Sequence, residues 1–196
     1  MNKYAVVFIC LFGMIGCKSK TKDKNKDVEF FPVVSFLKGQ ANHIDTSLYR
    51  IVKVETIDTI SNTTYVKRED FKQYAKDFLE LPDISSDKWK EDYEETKIFD
   101  DVLNSVILTY TTTEPDNEIQ REDIMLEPAG ADGNSEVKTV IINKITNKGD
   151  STVQKNMIWY VNKRFTIITK VDKKDQPQKI RKMEIIWNDF IDRSPV

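Results

Sequence analysis

Cysteine, histidine, glycine and proline are all scarce in this chain of 196 residues, and each shortage excludes something. The two cysteines are Cys10 and Cys17, and the one histidine is His43. A structural zinc site takes four Cys or His ligands, so nearly every zinc pattern is out of reach. A Ser–His–Asp or Cys–His nucleophile would have to recruit His43, and no G-x-S-x-G elbow accompanies it. Neither G-x-x-x-x-G-K nor G-x-G-x-x-G occurs, which removes the common phosphate-cradling loops. Six Gly and six Pro exclude a collagen-like or low-complexity chain. No catalytic residue, no metal site and no cofactor is therefore expected.

What is present is a globular composition, 39% hydrophobic and 32% charged, in a length that suits one domain better than two. The net charge of −2 hides an uneven distribution. Without residues 1–16 and the lysine-rich residues 18–27, the remainder holds 24 basic against 30 acidic side chains. A mildly acidic domain is a poor nucleic-acid binder, because that binding rests on many Lys and Arg contacts to phosphate.

The N-terminus is the most informative segment. Lys3 precedes 13 uncharged residues, 4–16. As a helix they would rise about 20 Å, short of the roughly 30 Å hydrocarbon layer, so they suit the apolar region of a secretory signal peptide. The run ends in Met14-Ile15-Gly16-Cys17. These four residues resemble the lipobox of bacterial lipoprotein precursors, with Met14 where that family prefers Leu and Ile15 bulkier than its usual Ala or Ser. The resemblance covers only about the first 17 residues. It implies cleavage between Gly16 and Cys17, a thioether-linked diacylglycerol on Cys17, and an acylated amine. Cys10 lies in the segment that would be removed, so Cys17 would have no intramolecular disulfide partner. Two or three acyl chains anchor far better than one.

Residues 18–27 contain five Lys, two Asp and nothing apolar, which predicts a flexible tether. No Asp follows Cys17, so the inner-membrane retention signal of some diderm lipoproteins is lacking. The resemblance thus implies an outer-membrane address in the bacterial envelope, periplasmic or surface-exposed. The expected domains are 1–16 signal peptide, 17–27 lipidated cysteine and tether, and 28–196 a single folded unit.

Within that unit, residues 30–45 place Val33, Phe36, Leu37, Gln40, Ala41 and Ile44 on one helical face, with Pro32 in the first turn. Residues 49–59 and 63–67 read as a hairpin broken at Ser61-Asn62. Phe71, Tyr74, Ala75, Phe78 and Leu79 mark a second helix, stopped by Pro82. Residues 83–97 are acidic and ambiguous, with a short helix expected around Trp89. Strands follow at 102–113, 119–127, 137–145, 152–161, 164–171 and 179–187, joined by short loops that require antiparallel neighbours. The expected fold is α+β: two helices on one face of a large, curved antiparallel sheet of seven or eight strands, with a meander in the C-terminal half.

The remaining candidates for chemistry all have an ordinary structural reading. Asp132-Gly133-Asn134-Ser135-Glu136 offers oxygens at alternate positions but lacks a full calcium loop, and a hairpin turn needs the same residues. The carboxylates Glu91, Asp92, Glu94, Glu95, Asp100, Asp101, Asp116, Glu118, Glu122 and Asp123 show no spacing that singles out a pair. Lys170, Lys173, Lys174, Lys179, Arg181 and Lys182 bracket the last turn, where charge is normal. Trp159 and Trp187 are first of all core residues for strands, though they could line a groove. Asp58-Thr59-Ile60 and Asp150-Ser151-Thr152 resemble a bacterial O-glycosylation triplet. Three readings stand: a membrane-anchored, non-enzymatic binding module for an envelope protein, lipid or glycan; a carrier of an apolar ligand inside the curved sheet; and a two-carboxylate enzyme acting on envelope glycans.

Overall fold

The computed structural model describes residues 29–130 and 133–189. The first helix, α1, runs over Val33–Thr46 and buries Val33, Val34, Leu37, Ala41 and Ile44, while Phe36 and Gln40 are half-buried and His43 is exposed. Pro32 stands just before the helix rather than in its first turn, and its carbonyl accepts from the Phe36 N–H at 3.0 Å. Next come β1 (Ile51–Ile57) and β2 (Ile60–Val66). The turn between them is Asp58-Thr59, not Ser61-Asn62. Asp58 adopts φ 54°, a left-handed conformation that Asp tolerates, so a two-residue loop closes the hairpin three residues earlier than β-branching alone suggests.

The second helix is present but divided, as α2 (Phe71–Tyr74) and α3 (Lys76–Leu79). At Ala75 the hydrogen bonding tightens, since Phe78 N–H reaches Ala75 O at 2.9 Å across three residues. The buried set Phe71, Ala75 and Phe78 still lies on one face. The ambiguous stretch resolves into a single 3-10 turn at Lys90–Asp92, leading into a strand, β3 (Tyr93–Asp100). Then follow β4 (Ser105–Thr112), β5 (Ile119–Leu126), β6 (Val137–Lys148), β7 (Ser151–Tyr160), β8 (Arg164–Lys173) and β9 (Lys179–Ile186).

The nine strands of the described residues form one antiparallel sheet in the order β2-β1-β9-β8-β7-β6-β5-β4-β3. Strands β3 to β9 are a continuous meander, and the last of them pairs with β1, so the N-terminal hairpin extends the same sheet. The α+β architecture on a large, curved antiparallel sheet is as expected, with β3 as an additional strand.

The helices pack on one face. Phe71 and Phe78 meet Trp159 of β7 with ring centroids 6.3 and 5.2 Å away, both edge-on. Phe165 of β8 stacks on Trp159 at 5.2 Å, and Trp187 just past β9 lies 5.4 Å from Phe71. These five rings are at most 1% exposed and form the centre of the core. Among the described residues no helix is long and apolar enough to cross a membrane.

Candidate functional site

The register of the strands sets one row of side chains across the helix-covered face. From β3 to β1 it reads Glu95, Tyr110, Glu122, Ile142, Met157, Ile167, Met183 and Glu55. Seven strand-to-strand steps carry mostly apolar groups, and Glu122 interrupts them. Its residue is 0% exposed, and neither carboxylate oxygen has a hydrogen-bond partner among the described residues. Burial, with the charge of Asp83 adding to it, pushes its carboxyl up to about 8. Near neutral pH the group is therefore mainly a neutral acid held in an apolar setting.

Two tyrosines flank it. Tyr93 donates its O–H to Ile119 O at 2.8 Å, and burial together with the charges of Glu122 and Asp92 pushes it up to about 12. Tyr110 accepts from the Phe31 N–H at 2.9 Å and is also raised, first by burial and then by Glu95 and Glu122. Asp83 is engaged locally, accepting from the backbone N–H and hydroxyl of Ser85 at 3.1 and 2.6 Å. A register shift between Ile119 and Arg121 gives β5 a bulge beside the acid. A desolvated acid of this kind is half of what acid–base catalysis on glycans requires. The other half, an open cleft with a second convergent carboxylate, is not what surrounds Glu122, whose side chain is sealed.

Sequence spacing did not single out Glu122, yet a signal was there. Glu122 and Asp123 are adjacent in a strand, so they point to opposite faces, and a covered sheet must take one of them inside. Asp123 on the other face is satisfied, accepting from Thr109 Oγ1 at 2.5 Å and from Arg121 Nε at 2.8 and 2.9 Å.

The other sequence candidates are dispersed. Gly16 and Cys17, the cleavage and lipid-attachment residues, lie outside the described residues, as does Asp132. No group of His, Cys, Asp and Glu able to hold a metal occurs among the described residues. Trp159 and Trp187 are in the core, not along a groove. Four of the six basic side chains pair with nearby acids: Lys170 with Asp172 at 3.7 Å, Lys173 with Asp150 at 3.4 Å, Lys182 with Glu184 at 2.9 Å, and Arg181 with Glu55. Both O-glycosylation-like triplets fall at hairpin turns, β1–β2 and β6–β7, at the same end of the sheet. Surface depressions of about 440 and 300 Å³ also lie at hairpin ends, the larger lined by Asp150, Ser151, Asp172 and Lys173. No protein family, curated protein or solved structure matches this chain.

Proposed function

We propose that this chain is a lipid-anchored protein of the bacterial envelope that acts by binding a partner. The observation that carries the reading is Met14-Ile15-Gly16-Cys17 directly after 13 uncharged residues and before a lysine-rich stretch. A domain tethered in this way needs no catalytic constellation to work, and the outer membrane is the address the sequence favours. The carrier reading has less support. The space between helices and sheet is filled by Phe71, Phe78, Trp159, Phe165 and Trp187, so an acyl chain would have to displace five packed rings.

The enzyme reading keeps one supporting observation, the unpartnered acid of Glu122. It predicts that Glu122→Gln abolishes hydrolysis of an envelope glycan. Retention of any such activity in that variant would remove it.

Metabolic labelling with a fatty-acid analogue tests the anchor. The native chain should take label and fractionate with membranes, and Cys17→Ala should take no label and fractionate with membranes far less. A Cys17→Ala chain that still takes label and stays with the membrane would refute the proposal.

A further inference from the structure

The hairpin joining β3 to β4 ends in large apolar side chains. Ile98, Phe99, Val102 and Leu103 are 55, 52, 93 and 50% exposed. Ile98 and Phe99 are consecutive strand residues, so they project from opposite faces of the sheet, while Val102 and Leu103 form the apex. A flat protein surface could cover one of those faces. A medium that is apolar on every side covers both.

Two backbone donors at the apex are already satisfied. Asp100 Oδ1 accepts from the N–H groups of Val102 and Leu103, both at 2.9 Å, so these two donors do not depend on water. The β1–β2 turn also exposes Ile57 and Ile60, but these are direct cross-strand partners and so share one face.

The chain enters the fold close to this hairpin. The Phe30 ring lies 4.5 Å from that of Tyr110 in β4, and the Phe31 N–H bonds its hydroxyl. From Tyr110 back to the start of β4 at Ser105 is roughly 17 Å, which puts the apex about 20 Å from the entry point. The 12 residues 18–29 separate Cys17 from Phe30. A chain of that length reaches at most about 40 Å and as coil averages about 19 Å. A lipid on Cys17 and the hairpin apex can therefore meet the same bilayer.

We infer that the β3–β4 hairpin inserts Ile98, Phe99, Val102 and Leu103 into the interfacial layer of the membrane that holds the Cys17 lipid. The inference rests on the anchor proposed above and gives the tethered domain a second contact, and with it an orientation. Asp100 and Asp101 fall between Phe99 and Val102, so their carboxylates enter the same interfacial layer as the apolar groups and oppose an anionic surface. Lipid with no net charge is thus the right probe.

The test uses the acylated chain on phosphatidylcholine vesicles, with Val102→Cys carrying an environment-sensitive fluorophore. Emission should shift to the blue and be quenched by brominated acyl chains, and Leu103→Asp should reverse both changes. In a Cys17→Ala background Leu103→Asp should lower vesicle partitioning by about tenfold, the worth of one apolar side chain. Both substituted residues are at least half exposed, so the fold should survive. Water-like, unquenched emission from a chain that remains on the vesicles would overturn the inference and leave the anchor standing. Emission that is blue-shifted but unquenched would mean a protein contact instead, and would overturn it too. If Cys17 carries no acyl group, the anchor and the inference fall together.

Discussion

Glu122 and Asp123 follow one another in the chain and meet opposite environments, and the consequence is a pH-dependent stability. A free Glu titrates near 4.5, and Glu122 in the fold near 8. Below pH 4.5 it is protonated in both states, and its contribution to stability is complete. Between 4.5 and 8 the unfolded chain gives up a proton that the folded chain keeps, so stability falls as pH rises, by about 3 kcal/mol at pH 7. Glu118 acts with the opposite sign at low pH. The Lys144 hydrogen bond outweighs its burial and holds its carboxyl down, but the side chain is 45% exposed and the effect is small. Glu122→Gln should flatten the slope above pH 4.5 and raise the urea midpoint at pH 7.5, with little change at pH 4. A slope that persists in the variant would place its origin elsewhere.

At the scale of elements, the β1–β2 hairpin shows how one turn orders everything beside it. A two-residue loop makes Ile57 and Ile60 a hydrogen-bonded pair, so Asn62, Thr64 and Val66 also direct their backbone groups at β1. Ser61, Thr63 and Tyr65 direct theirs outward, along a sheet edge that carries no charged residue. Thr63→Pro should therefore cost about 1 kcal/mol or less, whereas Thr64→Pro removes a ladder bond to Lys53 and should cost about 3 kcal/mol. Chemical denaturation of the two variants compares them directly. Equal losses would mean that the register differs from the one described. The helices were legible for a related reason. Phe71, Ala75 and Phe78 keep their period through the break at Ala75, because burial selects a face and tolerates a local tightening of the turn.

For the molecule as a whole, the pairing of β9 with β1 is decisive. It joins Val52 to Ile186 and Ile57 to Arg181, pairing strands far apart in the chain within one open sheet. Such non-local pairing predicts refolding on the millisecond-to-second scale. It also predicts that deleting residues 179–196 leaves the hairpin without its neighbour and strips Ile185 and Trp187 from the core. The truncated chain should lose its cooperative urea transition and its near-ultraviolet circular dichroism. A sharp transition in that chain would show that the meander to β8 folds without this pairing.

By itself the sequence determined what depends on local pattern. The apolar run before Cys17, the period of α1, the strand alternation and the short antiparallel connections are all set by residues a few positions apart, where backbone geometry leaves few choices. It also placed Trp159 and Trp187 in a core, since large rings in strands seek burial. The tertiary structure decided what depends on residues far apart. The acidic segment 93–100 became a strand because β4 offered it an edge. Among the described residues Glu122 became the fully buried acid without a hydrogen-bond partner because pairing sets it between Tyr110 and Ile142, which are themselves buried. The ends of the sheet were decided there as well, and with them the exposure of the β3–β4 apex. Pairing energy and burial are shared among distant strands, and no window of sequence contains them.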